Sequence, residues 1–189
     1  MAETPTLESL FDKKVVICEE FELDGLNLVF KCLDSYEEYL EVLPLVKKLS
    51  RCSLEHHRAY VDSMLRMPLY YPFVVRVLDS VGCDDVTSSS SSVRSVNSDG
   101  SSIIGYIEVY AMPHLGRLFD CRFERVIVDP AYRNRGVCHK MLSIAIEFCT
   151  SVLRCNRIDL TSDNPLAIHI YEKFGFEHVN VNTYRKTVL

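Results

Sequence analysis

Apolar residues recur along this chain in two rhythms, at alternate positions and at helical spacing, and the two rhythms predict its elements. Asn27-Leu28-Val29-Phe30-Lys31-Cys32 predicts a strand. Ser35 and Glu38 then form a capping box, and Tyr36, Leu40, Leu43 and Val46 to Leu49 follow at helical spacing. Pro44 within that pattern predicts a kink or a split. Ser53 predicts the cap of a second helix over 54–65, with Val61, Met64 and Leu65 inward and Pro68 beyond its end. Phe73 to Leu78, Ile103 to Tyr110 and Cys121 to Val128 read as strands. A helix follows with Val137, Met141, Ala145, Phe148 and Val152 on one face. Arg157 to Thr161 alternates like a strand, and Asn164-Pro165 opens a helix that runs through Tyr171 to Phe174. Gly175 is a good left-handed stop. Phe176 to Val179 and Asn182 to Val188 predict a terminal strand pair. The predicted order is β-α-α-β-β-β-α-β-α-β-β, an α/β (α+β) domain over 27–189.

Two stretches lack either rhythm. Residues 1–26 are acidic and read as a loosely packed N-terminal extension. Residues 84–102, with a serine run from Ser88 to Ser92, have little apolar surface to bury and read as a loop inserted within a hairpin.

Composition narrows the class. A chain of 189 residues with 48% apolar residues can bury one substantial core. Its net charge of −5 argues against broad binding to nucleic acid or anionic membranes. The first ten residues lack the basic and apolar regions of a signal peptide, and no apolar run approaches a membrane span. The eight cysteines include no C-x-x-C pair, so reduced thiols in the cytoplasm are the expectation and no metal ligand set stands out.

One segment opposes the acidic balance. Arg133-Asn134-Arg135-Gly136-Val137-Cys138-His139-Lys140 joins the apolar Val126-Ile127-Val128 to the helix from Met141. A basic, glycine-containing loop between a strand and a helix suits a pyrophosphate. The first-turn N–H groups point at the loop, the helix dipole adds partial positive charge, and Gly136 removes a side chain where a ligand would approach. The competing reading is a solvated cluster of Arg133, Arg135 and Lys140.

The run Val126 to Lys140 resembles motif A of the GCN5-related N-acetyltransferases: an apolar strand, R-x-x-G-x-G/A, then a helix. Here it reads Arg133-x-x-Gly136-x-Cys138, with Cys138 where the family has Gly or Ala. Asn164-Pro165-Leu166-Ala167 to Tyr171-Glu172-Lys173-Phe174-Gly175-Phe176 is similar to motif B, N-x-x-A-x-x-x-Y-x-x-x-G-F. The resemblance implies a mixed, mostly antiparallel sheet with a splayed parallel strand pair and helices on both faces. It also implies acetyl-CoA as co-substrate, held where strands 121–128 and 157–161 part. The backbone of Val126, Ile127 and Val128 would bond the pantetheine as an added strand would. Arg133, Asn134, Arg135, Gly136, Val137 and Cys138 would hold the pyrophosphate, and Asn164 would contact the pantetheine arm. Tyr171 would sit near the thioester sulfur.

Acetyl transfer to an amine needs a neutral amine, a stabilised oxyanion and a protonated or solvated thiolate. The Tyr171 phenol is the candidate general acid, and a backbone N–H at the end of the 121–128 strand would face the oxyanion. Glu124 is the candidate base, on the face of the strand opposite Phe123. A structural role for Glu124 as the ion-pair partner of Arg122 or Arg125 competes with that assignment. His56-His57-Arg58, His114 and Arg117 are further candidates for an anionic substrate, against plain exposure on a polar surface.

For the acceptor, Arg122 to Val128 looks similar to the R-V-E-D-V-V-V strand of glucosamine 6-phosphate N-acetyltransferases, except that Arg125 replaces the acidic residue. Glucosamine 6-phosphate in amino-sugar biosynthesis is therefore the leading acceptor. A polyamine, an amino acid or a protein N-terminus is the alternative, and a non-catalytic acetyl-CoA-binding module a third. The resemblance also implies a homodimer, for which the C-terminal strands could pair between subunits.

Overall fold

The computed structural model describes residues 14–49, 54–78, 102–181, 184 and 186. Six strands lie side by side in chain order: β1 Cys18–Leu23, β2 Leu26–Cys32, β3 Tyr70–Val77, β4 Ile103–His114, β5 Arg117–Val128 and β6 Arg157–Asp159. The first five are antiparallel to their neighbours, while β6 is parallel to β5. Helices α1 Tyr36–Val46, α2 Arg58–Leu65, α3 Val137–Glu147 and α4 Pro165–Lys173 pack around the sheet. This is the mixed sheet with one parallel pair that the resemblance implies.

The sheet splits the core. On one face Phe30, Phe73, Cys121, Phe123 and Val128 pack against Met141, Leu142 and Phe148 of the α3 segment and Tyr171 of α4. On the other, Val74, Ile103, Tyr106 and Ile127 pack against Val42 and Leu45 of α1. The helix after the basic loop changes geometry at Phe148–Val152, a π turn that carries Phe148 and Cys149 inward.

Four expectations need correction. The extension read over residues 1–26 contains β1, whose Phe21 pairs with Leu28 and whose Leu23 pairs with Leu26. Its alternation is masked because Glu19, Glu20 and Glu22 fill an edge strand, where charge discourages further pairing. Pro44 does not split α1: it lies in the last turn, and Lys47 N–H donates to Leu43 O at 2.8 Å, so the ladder continues past it. The second helix starts at Arg58 rather than at Leu54, because the His57 imidazole accepts the Tyr60 N–H at 3.2 Å and caps it. Ser53 lies outside the described residues. Phe176 to Val179 forms no strand: Phe176 N–H donates to Tyr171 O at 3.2 Å and its ring packs on Phe123 and Tyr171 instead. Most of its expected partner, 182–188, lies outside the described residues, as does the serine-rich stretch apart from Ser102. The strands on either side of that stretch do pair, with Val77 N–H on Ser102 O at 2.9 Å. Among the described residues, no helix is long and apolar enough to cross a membrane.

Candidate functional site

Two irregularities in β5 build the site. The first is where its pairing with β6 stops. Asp120, Cys121 and Arg122 face Arg157, Ile158 and Asp159, and β6 ends there while β5 continues to Val128. The second is a bulge. Glu108 of β4 faces Glu124, but Tyr106 faces Ile127, so β4 advances two residues while β5 advances three. Arg125 takes up the extra residue with φ 53, in the left-handed region.

The bulge reverses the strand's phase. Cys121 and Phe123 face α3, Arg122 and Glu124 face away, and beyond Arg125 it is Val126 and Val128 that pack toward α3 while Ile127 joins the α1 cluster. Asp129 N–H donates to Ile104 O at 2.8 Å. By alternation, Ile127 directs its backbone to β4, and Val126 and Val128 direct theirs to the opposite, unpaired edge. Three expected backbone positions therefore become two available ones. The Val128 carbonyl already accepts Arg133 Nε at 3.1 Å, so Arg133 braces the end of the strand.

The loop after β5 turns through a short 3-10 segment, Pro130–Tyr132, and reaches α3 with Asn134 at φ 62 and Gly136 at φ 82. Gly136 is the N-cap of α3, and no side chain caps the first turn. The N–H groups of Val137, Cys138 and His139 thus lack intrahelical partners, at the positive end of the helix dipole. Left-handed residues on either side of Arg135 make the kind of turn that forms an anion-binding concavity. Of the cations singled out by sequence, Arg135 lies 3.5 Å from Asp24 and covers the Tyr132 ring. Lys140 turns away to Glu19 at 2.8 Å and lies over Phe21 of β1. His139 packs on Phe174.

Asn164 caps α4, its Oδ1 accepting Leu166 N–H at 3.0 Å, with Pro165 in the first turn. That turn starts the helix which carries Tyr171 inward to 8% exposure. Burial pushes the Tyr171 phenol up to about 12, with the nearby Cys138 thiol adding to the shift. Burial also raises the Cys138 thiol. Tyr171 therefore keeps its proton through neutral pH and can donate it.

Tyr171 and Glu124 are not neighbours on one face. Tyr171 belongs to the α3-side cluster with Phe123, whereas Glu124 faces a cleft of about 380 Å³ on the other side of β5. Glu108, Tyr110, Met112, Arg122, Glu124 and Arg125 line that cleft. Glu124 Oε1 accepts Arg122 Nε at 2.5 Å, and Arg122 also donates to Thr161 Oγ1 at 2.9 Å. The expected ion pair thus exists, with Arg122, and it leaves Glu124 about 41% exposed to the cleft. Neither His56, His57 nor Arg58 lines the cleft. His56 stacks on Tyr60, His57 caps α2, and Arg58 pairs with Glu37. His114 contacts Asp120 at 3.0 Å, and the Arg117 side chain lies outside the described set.

Sequence reasoning passed over Glu108. It is 4% exposed, and its carboxylate accepts Tyr106 and Tyr110 hydroxyls, each at 2.8 Å, with Arg125 Nη1 at 3.4 Å. The signal was legible: one acid inside the apolar run Ile103 to Tyr110, two residues from a tyrosine on each side and so on one face with both.

A profile of the Acetyltransferase (GNAT) family matches residues 59–176, well over half of the chain, and the protein belongs to that family. It is 44% identical over 54 residues to the L-amino acid N-acetyltransferase AaaT of Escherichia coli K12. That match covers 28% of this chain and 33% of the relative, so the likeness spans about a third of that protein. A Trypanosoma brucei acetyltransferase structure superposes with a TM-score of 0.64 at 20% identity, covering 85% of this chain and 99% of the other. Glucosamine-6-phosphate N-acetyltransferase from Arabidopsis thaliana gives 0.59 at 13% identity, covering 84% and 97%. The two structures share the fold.

Proposed function

We propose that this protein transfers acetyl from acetyl-CoA to a small primary amine at the split between β5 and β6. The observation that carries the reading is the coincidence of three features along one strand. The unpaired edge at Val126 and Val128 leads through a short 3-10 turn to the uncapped first turn of α3, and the same strand presents Glu124 to the cleft.

These residues fit the co-substrate. Val126 and Val128 would hold the pantetheine by backbone bonds, with Ile127 fixing the strand to β4. Asn134, Arg135, Gly136, Val137 and Cys138 would surround the pyrophosphate, and Arg133 would keep the end of the strand in place. Asn164 would reach the pantetheine arm through its amide nitrogen, since its oxygen caps α4. Acetyl-CoA supplies an activated acyl carbon and a thiol leaving group. Tyr171 holds the proton that the departing sulfur needs. Glu124 receives the proton of the attacking amine, directly or through water. A backbone N–H at the end of β5 would face the developing oxyanion.

Glucosamine 6-phosphate is the acceptor suggested by the strand around Glu124, and an amino acid is the one suggested by the name of the bacterial relative. Both are small primary amines that carry an anionic group. The test is CoA release from acetyl-CoA with a panel of amines, in the wild type and in Tyr171→Phe. The reading requires turnover with at least one amine, and a fall in kcat in Tyr171→Phe at similar acetyl-CoA affinity. Tight acetyl-CoA binding with no turnover on any amine would make this a binding module instead.

A further inference from the structure

We infer that the cleft selects an acceptor in which the amine and a carboxylate lie close together, an α-amino acid, with Glu108 receiving the ammonium and Arg125 the carboxylate. The inference rests on the acetyltransferase reading and names its substrate class.

The argument starts from the charges that line the cleft. Glu108 and Glu124 contribute two carboxylates, Arg122 and Arg125 two guanidinium groups. A polyamine would call for a net acidic lining, whereas a balanced lining matches an acceptor that carries both an amine and an anion. The spacing adds to this. Glu108 Oε1 and Arg125 Nη1 are 3.4 Å apart, a separation similar to that between the two charged groups of an α-amino acid. Such a ligand can lie beside the pair with each end against its opposite.

Glu108 is built to receive an ammonium. It projects from the interior of β4 opposite Glu124, one step from the bulge, and lines the cleft with it. Two tyrosine hydroxyls donate to it, one to each oxygen; Oε1 also faces Arg125 Nη1, so the room for a further donor is on Oε2. The Tyr110 and Tyr70 rings lie 4.8 Å apart beside it, so the wall next to the carboxylate is aromatic and rigid. Burial and the Glu108 charge push the Tyr106 and Tyr110 phenols up, which keeps both as donors. The carboxylate is therefore fixed before substrate arrives. Arg125 is held in its left-handed conformation by the bulge and stands at the mouth of the cleft, with 43% of its side chain exposed. Tyr110 and Met112 provide an apolar wall on which a substrate side chain can rest. A volume of about 380 Å³ is at the small end of ligand sites and suits a molecule of this size.

The experiment compares L-methionine and L-phenylalanine with their amides, putrescine and glucosamine 6-phosphate, following CoA release from the full-length protein. The free amino acids should exceed their amides by about tenfold or more in kcat/KM, the worth of one charge-assisted contact. Arg125→Gln should bring that ratio toward one. Glu108→Gln, nearly isosteric, should raise the KM for every acceptor by about tenfold or more while acetyl-CoA affinity, measured by calorimetry, stays the same. Arg125 is half-exposed, so its variant keeps the test open even if Glu108→Gln does not fold. Amides turned over as well as the free acids, or an acid-to-amide ratio unmoved by Arg125→Gln, would overturn the inference and leave acetyl transfer standing. Preference for putrescine or glucosamine 6-phosphate would do the same. No CoA release with any amine, despite acetyl-CoA binding, would remove the acetyltransferase reading and this one with it.

Discussion

The two ends of β5 teach different lessons. At its C-terminal end the groups proposed to face the co-substrate are backbone atoms in one continuous segment, 126–138. Here the chain needs only a strand edge, two left-handed residues and an uncapped helix, and this one segment supplies them. At its middle, the cleft is assembled from side chains of two strands, Glu108, Tyr110 and Met112 from β4 and Arg122, Glu124 and Arg125 from β5. Its geometry depends on register and on one bulge. A contiguous site tolerates drift in sequence elsewhere, while a cross-strand site changes whenever the pairing changes.

The sharpest way to break this comparison is to remove the chemistry from each side of β5. Glu124→Gln should lower kcat by about 100-fold if Glu124 receives the proton of the amine. A kcat within about threefold of wild type would reduce Glu124 to the ion-pair partner of Arg122. Tyr171→Phe, on the opposite face, should lower kcat by about 10- to 100-fold with acetyl-CoA affinity preserved in calorimetry. A loss of affinity instead of kcat would make Tyr171 a packing residue.

A smaller effect tests the contiguous end. Gly136→Val places a β-branched residue at φ 82, a strain of about 1–2 kcal/mol. Space is not the obstacle, since a Cβ at Gly136 would meet Leu23 no closer than 3.6 Å. The first turn of α3 should therefore distort, with acetyl-CoA affinity down about tenfold and a modest fall in Tm. Unchanged affinity would separate the loop from the co-substrate.

The Tyr171 phenol gives a pH test. In the unfolded chain it loses its proton near its ordinary value of about 10, and in the folded chain at about 12. Its contribution to stability is therefore complete below the unfolded value and lost as pH rises through the folded one. Urea midpoints should fall more steeply on the alkaline side for wild type than for Tyr171→Phe, and equal slopes would contradict the burial. The smallest effect is expected of Lys140→Ala. Its ammonium sits on Glu19 and Phe21, so acetyl-CoA affinity should be unaltered, with about 0–1 kcal/mol of stability at stake. A large loss of affinity would return Lys140 to the phosphate loop.

Local physics made much of this molecule legible in advance. Ser35 with Glu38, Asn164 with Pro165, and Gly175 mark helix ends through interactions within a few residues, and all three behave so in the structure. The alternation of Phe123 and Glu124 placed them on opposite faces because a strand has a period of two. The pairing of both motifs in order sufficed for the family.

What the sequence could not decide depends on contacts between distant segments. β1 is a strand because β2 offers an edge and α3 offers Lys140 to its glutamate, and its own residues read as solvated. The bulge at Arg125 inserts one residue and reverses the phase of Val126 to Val128, and no local preference marks it, since arginine has no intrinsic liking for positive φ. Glu108 becomes a site residue only because β4 and β5 register it against Glu124, with two tyrosines turned to the same face. Short-range rules set the helix ends and the turn before α3; long-range register, which a one-residue slip would overturn, set the cleft.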